Sequence, residues 1–187
     1  QRATPAQLQD LQALHTELGA AVDSTDRFFE VNELSTFRKI SSRLQGHPSV
    51  DKNLPGIRMA SGSLGQGLSV AIGAALSKKL AGDRCRVYCL MGDGELQEGQ
   101  VWEAAMYAGH KSVNNLVAIV DYNNRQIDGD VSNVMGVMPL ADKWSAFGWN
   151  VYEMDGHDFD DMRRVFTQID NEPNQNKPRV IIMKTEM

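Results

Sequence analysis

The chain has 187 residues, 42% of them hydrophobic, which is enough to bury one sizeable core and fits the ~100–200 residues of a single domain. Its 24 acidic and 19 basic residues leave a net charge of -5 with no segregated basic tract, which excludes the electrostatics of a nucleic-acid binder. The longest apolar runs, Leu116–Val120 and Val180–Met183, fall far short of the ~20 residues that cross a bilayer, and the first residues carry no apolar signal core, so no membrane partner is expected.

From Gln7 to Val22, leucines 8, 11, 14 and 18 recur at helical spacing behind Thr4-Pro5, an N-cap followed by a first-turn proline, and predict an amphipathic helix. A second helix is expected over Glu33–Leu44, ended by Gly46-His47-Pro48 and followed by an irregular loop to Met59. After the small-residue segment Ser61–Gly67, the stretch to Leu80 reads as a buried helix, and a turn at Gly82-Asp83 leads to a strand over Val87–Met91. A helix over Glu98–His110 precedes the strand Leu116–Val120, whose near-continuous apolar character predicts burial on both faces. The alternation repeats with a helix over Leu140–Phe147, a strand over Asn150–Met154, a helix over Phe159–Ile169, the polar loop Asn171–Lys177 and a strand over Arg179–Lys184. Strands alternating with helices predict a doubly wound, parallel α/β sheet with right-handed crossovers and helices on both faces.

Cys85 and Cys89 are four residues apart, about 13 Å along a strand, so they cannot bridge each other. They read as two buried core thiols of a protein from a reducing, cytoplasmic compartment.

In open α/β sheets, ligands bind beyond the carboxyl ends of the strands. Two such ends stand out: Gly92-Asp93-Gly94-Glu95 after the first strand and Asp121-Tyr122-Asn123-Asn124 after the second, thirty residues and one βαβ unit later. Glycines admit an anionic ligand close to the backbone, while Asp93 and Asn123 offer hard oxygens of the kind magnesium takes. A helix beginning near Leu96 or Gln97 would aim its N-terminus at the same place. A lone Gly-Asp-Gly also marks ordinary turns; the pairing of two strand ends is what points to a magnesium-bridged diphosphate.

Gly92-Asp93-Gly94 through Asn123 resembles the thiamine diphosphate signature, which opens on Gly-Asp-Gly and closes on an asparagine about thirty residues later. Gly92–Gly99, Ile119–Asn123 and Gln126-Ile127-Asp128-Gly129 resemble the transketolase family more narrowly, as do Leu44-Gln45-Gly46-His47-Pro48 and Gly62–Gly67; together the matches reach from Phe28 to about Lys184. The resemblance implies the diphosphate-binding fold of that family across residues 1–187, with 1–27 as an N-terminal helical segment and 28–187 as the core. It implies that Asp93, Asn123 and the carbonyl of Arg125 hold Mg2+ (or Ca2+ or Mn2+), that Gly92 and Gly94 lie at the diphosphate, and that Gly62, Ser63 and Leu64 line the rings of thiamine diphosphate. Many family members have proline where Ser63 stands.

His47 matches an active-site histidine near the reacting carbon, and also suits a loop histidine bonded to a backbone carbonyl. Glu98 matches a glutamate at the family's dimer interface. His110 reads as a helix C-terminal residue facing the dipole, His157 as part of the turn and N-cap before the next helix, and His15 as a surface residue.

Two family segments are not found. Histidine motifs expected between Leu18 and Phe28 are missing, and the chain stops at Lys184-Thr185-Glu186-Met187, before a basic, glycine-rich segment. The pyrimidine-binding domain, whose glutamate activates the cofactor, is not part of the chain either. The resemblance therefore implies the N-terminal subunit of a split transketolase of the pentose phosphate pathway type. With a C-terminal partner, as a heterotetramer or a dimer of pairs, it would transfer a two-carbon ketol unit from a ketose phosphate to an aldose phosphate. The alternatives are a ketolase for an unusual sugar, a relative such as deoxyxylulose phosphate synthase, and a non-catalytic scaffold subunit.

Overall fold

The computed structural model describes residues 30–54, 57, 59–172 and 176–186. The helix expected over Gln7–Val22, and His15 with it, lies outside these residues. The chain divides into two compact units, Gln1–Gly62 and Ser63–Met187.

In the first unit, the helix expected over Glu33–Leu44 is replaced by a 3-10 helix, Val31–Thr36, that stops early. Phe37 leaves the helical region with ψ 128° and Arg38 is left-handed with φ 61°. Short polar side chains win the backbone here. Ser42 Oγ accepts the Leu44 N–H at 3.0 Å and lies 2.6 Å from Thr36 Oγ1, while the Arg38 N–H donates to the Leu44 carbonyl at 2.9 Å. Serine and threonine hydroxyls compete for backbone groups in this way, so helical spacing of apolar residues is not sufficient evidence of a helix. Arg43 donates twice to the Glu33 carboxylate, at 2.7 and 2.8 Å, and this pairing holds the Glu33 pKa below its ordinary value. A further 3-10 turn, Val50–Lys52, follows the Gly46-His47-Pro48 break.

The second unit carries a four-stranded parallel sheet in the order β1-β2-β6-β5. Its strands are β1 (Val87–Gly92), β2 (Leu116–Tyr122), β5 (Asn150–Asp155) and β6 (Arg179–Lys184). The helices α1 (Gln66–Leu80), α2 (Gly99–His110), α4 (Leu140–Ala146) and α5 (Phe159–Asn171) lie between them. A two-residue hairpin, β3 (Arg125–Gln126) with β4 (Gly129–Asp130), and the single turn α3 (Val131–Val134) follow β2. This is the doubly wound arrangement expected. One core packs α1, α2 and α4 against Cys89, Met91, Ala118, Val120, Val180 and Ile182. A smaller one packs Val165 and Ile169 of α5 against Val117, Tyr152, Met154 and Ile181 on the other face. Leu116, Val117, Ala118 and Val120 have no exposed surface, as a strand covered on both faces requires.

Two expectations need correction. Cys89 is buried and its thiol is pushed up to about 11 by desolvation, but Cys85 precedes β1 and is exposed. The helix after Gly67 buries only one stripe, Leu68, Ala71, Ile72 and Ala75, while Val70 and Leu80 are exposed. Likewise β1 buries Cys89 and Met91 but leaves Tyr88 and Leu90 exposed; on that face Tyr88 meets Phe166 of α5 edge-on, and Arg86 just before the strand pairs with Asp170. Among the described residues, no helix is long and apolar enough to cross a membrane.

Three tryptophans pack together on the α2–α4 side. Trp144 has no exposed surface and sits between Trp102 and Trp149, with centroids at 5.4 and 4.8 Å. Trp149 Nε1 donates to the Ala105 carbonyl at 2.8 Å, which draws the Phe147–Trp149 backbone onto α2. A Cβ at Gly109 would lie 1.8 Å from the Phe147 carbonyl oxygen. Replacing a helical glycine by alanine ordinarily stabilises by about 1 kcal/mol, but here the clash should reverse the sign. Gly109→Ala is expected to lose about 2–4 kcal/mol, read as a lower urea midpoint at unchanged slope. An unchanged midpoint would show that this approach is looser in solution.

Candidate functional site

The parallel register brings the two candidate strand ends side by side. Gly92 pairs with Asp121, and the Asp93 N–H donates to the Asp121 carbonyl at 3.1 Å. Asp93 is then 1% exposed, and both its oxygens are used: Oδ1 accepts the Gly94 N–H at 2.9 Å and Oδ2 the Asn124 N–H at 2.7 Å. Burial raises the Asp93 pKa, the two backbone donors oppose that shift, and the neighbouring Asp121 charge adds to it.

The helix expected to begin at Leu96 or Gln97 in fact starts at Gly99, after a 3-10 turn over Gly94–Gln97 that Asp93 caps. The first N–H of that turn therefore goes to Asp93. A single side chain both ends β1 and starts the turn.

On the β2 side, Asn123 Nδ2 donates to Asp121 Oδ2 at 3.2 Å and Asn123 Oδ1 accepts the Arg125 N–H at 2.8 Å. A carboxylate cannot donate, so Asp121 fixes which end of the Asn123 amide is oxygen. The other Asp121 oxygen bonds Thr185 Oγ1, and the Thr185 N–H donates to the Tyr122 carbonyl at 3.2 Å. Asn124 is left-handed at φ 56°; its Oδ1 accepts the Ser132 N–H at 2.9 Å and its carbonyl the Val131 N–H at 3.0 Å. The hairpin is closed by the Arg125–Asp130 ion pair at 2.5 Å. It carries Gln126 over Gly94, where an added Cβ would meet Gln126 Cβ at 3.1 Å.

Gly92, Asp93, Gly94, Asn123 and Arg125 thus share one sheet edge. Beside them opens a cleft of about 820 Å³ lined by Asn123, Asn124, Ser132, His157 and Lys184 among others. Ser63 and Leu64 are exposed at the entry to α1, where Gln100 Nε2 donates to the Leu64 carbonyl at 3.0 Å. His47 and Gly62 meet within the first unit: a Cβ on Gly62 would lie 3.5 Å from His47 Cβ and Cγ. His47 is exposed.

The remaining histidines have plainer places. His110 is the last residue of α2, as expected. His157 lies in the turn after β5, but the N-cap is Asp158, which accepts the Asp160 and Asp161 N–H groups; His157 Nε2 instead accepts the Glu186 N–H at 2.8 Å. Glu98 is exposed at the N-cap position of α2. Three residues outside the sequence-derived set, Asp121, Glu95 and Thr185, make the second layer of the site. Asp121 could have been found, because two residues before Asn123 on a strand it shares that residue's face.

Among the described residues, no three His, Cys, Asp or Glu side chains group as a metal site. A cation here would have to draw on one carboxylate, an amide oxygen, a backbone carbonyl and ligand or water oxygens. That is the donor set of a hard ion that keeps part of its shell for phosphate, so the residues present fit magnesium with a diphosphate.

The family profile described as "Transketolase, thiamine diphosphate binding domain" matches residues 26–187. The 6-deoxy-6-sulfo-D-fructose transketolase subunit SqwG of a Clostridium species is 40% identical over 158 residues, 84% of this chain and 56% of that protein. An apulose-4-phosphate transketolase subunit of Phocaeicola vulgatus is 42% identical over 150 residues, 80% of this chain and 52% of that protein. The solved transketolase of Campylobacter jejuni superposes with TM-score 0.73 at 35% identity, covering 82% of this chain and 24% of that one. The chain thus spans about half the length of the two curated subunits.

Asp93 supplies a test that needs no ligand. Asp93→Asn leaves one oxygen where two are used and turns an NH2 toward a backbone N–H. It should destabilise the chain by about 1–3 kcal/mol in urea unfolding. A loss below about 0.5 kcal/mol, the size of an ordinary surface substitution, would show that the double acceptance is not made in solution.

Proposed function

Because this chain belongs to the transketolase family, as its thiamine diphosphate-binding N-terminal part, we propose that it anchors that cofactor through a divalent cation at the Asp93–Asn123 strand edge and forms half of a ketol-transfer site. The observation that carries this reading is Asp93, buried and bonded to both strand ends, with Asn123 beside it and its amide oxygen turned away from Asp121.

In this reading Asp93, the Asn123 amide oxygen and the Arg125 carbonyl hold Mg2+, or Ca2+ or Mn2+ in its place. Gly92 and Gly94 admit the diphosphate, and Gly62, Ser63 and Leu64 lie along the rings. When bound, thiamine diphosphate supplies a carbon nucleophile for the substrate carbonyl. His47 gives and takes protons at the substrate's carbonyl or hydroxyl oxygens.

The pyrimidine-binding half would come from a C-terminal subunit or domain. Relatives named as subunits support that arrangement. The whole assembly would move a two-carbon ketol unit from a ketose phosphate to an aldose phosphate. A second reading keeps the chemistry and changes the donor; the names of the sulfo-fructose and apulose-phosphate transketolase subunits favour it.

Calorimetric titration of thiamine diphosphate into the chain, with and without magnesium at equal ionic strength, tests the anchoring. Magnesium should tighten binding at least about tenfold, worth about 1.4 kcal/mol, and Asp93→Ala should remove that gain. Binding that ignores magnesium, or an Asp93→Ala variant that keeps the gain, would overturn the ligand assignment. Turnover with ketose phosphate and sulfonated ketose donors should appear only when the C-terminal partner is added.

A further inference from the structure

The Ser63–Gly65 turn and the Gly92–Gly94 strand end lie about thirty residues apart in sequence, yet one side chain joins them and a second holds the turn from α2. The Gly65 N–H donates to Glu95 Oε1 at 2.7 Å, and the Gly92 N–H to Glu95 Oε2 at 3.3 Å. One carboxylate thus accepts from the turn and from the last residue of the edge strand. Five residues on, Gln100 at the start of α2 donates to the Leu64 carbonyl at 3.0 Å.

The fit is close as well as bonded. Gly65 is left-handed at φ 82°, and a Cβ there would lie 2.8 Å from both Glu98 Cβ and Gln100 Nε2. Ser63 and Leu64 themselves are exposed, Leu64 by 53%. Gly65 is buried but Ser63 and Leu64 have little burial to hold them, so the hydrogen bonds from Gly65 to Glu95 and from Gln100 to the Leu64 carbonyl tie the exposed part of the turn.

The placement of Glu95 is costly on charge alone, since it sets a carboxylate next to an edge proposed to take a diphosphate. Two backbone N–H groups pointed at it offset that cost, and hydrogen bonds to an ionised acceptor are the stronger kind.

We propose that Glu95 and Gln100 are positioning residues that clamp the Ser63–Leu64 turn to the diphosphate strand end, so that the ring-side and phosphate-side parts of the cofactor site hold one fixed spacing. The proposal rests on the cofactor reading above. It adds that ring recognition depends on residues that touch neither the rings nor the ion.

Two probes separate the clamp from a general loss of structure: thiamine diphosphate, which spans both parts of the site, and inorganic diphosphate, which needs only the strand end. Both are titrated with magnesium into the full chain. Glu95→Ala should weaken thiamine diphosphate about tenfold or more and inorganic diphosphate less than about threefold; Gln100→Ala, which frees only the Leu64 carbonyl, should weaken thiamine diphosphate about threefold and leave inorganic diphosphate unchanged. Glu95→Gln keeps one acceptor and should fall between wild type and Glu95→Ala for thiamine diphosphate.

If Glu95 acted only as a charge, Glu95→Gln would bind both probes more tightly, and that result overturns the clamp. Equal weakening of both probes, or no change in either, overturns it too. Amide exchange gives a readout without ligand: the Gly65 amide should exchange faster in Glu95→Ala and at the wild-type rate in Gln100→Ala, and a Gly65 amide equally protected in all three chains again overturns the clamp. A wild-type chain that binds neither probe overturns the cofactor reading instead, and the clamp as a cofactor device falls with it.

Discussion

Asp93 divides its carboxylate between two backbone N–H groups, one from the turn that follows β1 and one from the turn that follows β2. Register alone would bring the strand ends level, because Gly92 faces Asp121 across the sheet. It would not fix the direction in which the chain leaves each strand. The carboxylate does that, because one planar group with two acceptors sets both exits at once. Its burial makes the arrangement strict: a buried carboxylate that loses a donor costs more than the hydrogen bond itself contributes. The 3-10 turn Gly94–Gln97, the left-handed Asn124 and the hairpin that covers Gly94 all follow from this one placement.

A second layer extends the same logic across the sheet. Asn123 is oriented by Asp121, Asp121 is held by Thr185, and the segment carrying Thr185 leaves β6 beside the β5 turn, where Gly156 donates to the Lys184 carbonyl at 2.7 Å. A Cβ at Gly156 would meet Thr185 Cγ2 at 2.5 Å, so the approach needs glycine. Four parallel strands therefore end in connected groups. Under the proposed reading, the Asn123 oxygen would be set by Asp121 of β2 and by Thr185 just after β6, which is how outer contacts commonly orient an inner donor.

Much of the fold was legible in the sequence because a parallel strand buried on both faces leaves a mark that local chemistry cannot imitate. Leu116–Val120 is continuous in its apolar character and lies at the centre of the sheet. The segment Glu33–Leu44 had helical spacing but also Thr36, Ser41 and Ser42, and two of those hydroxyls took backbone groups that a helix would have used: Thr36 donates to the Glu33 carbonyl and Ser42 accepts the Leu44 N–H. Cys85 was misread for a related reason: just outside a strand, burial no longer follows from neighbours in sequence. The site divides in the same manner. Glycines and hard-oxygen side chains at strand ends are a pattern that sequence displays, whereas Glu95 is an ordinary carboxylate until thirty residues of intervening chain bring its partner Gly65 beside it.

The order of these dependencies bears on what the proposed cofactor would find. Gly94 gives its N–H to Asp93 and cannot also give it to a diphosphate. Under the proposed reading, the anion is then met by a cation that Asp93 and Asn123 hold, and glycine serves to let it come close. Magnesium suits that division because it surrenders only part of its hydration and accepts phosphate oxygens in the remaining positions. Cofactor binding in this chain would then be a matter of ion geometry first and of backbone contact second, with the hydrogen bonds that end the strands holding Asp93 and Asn123 in place for it.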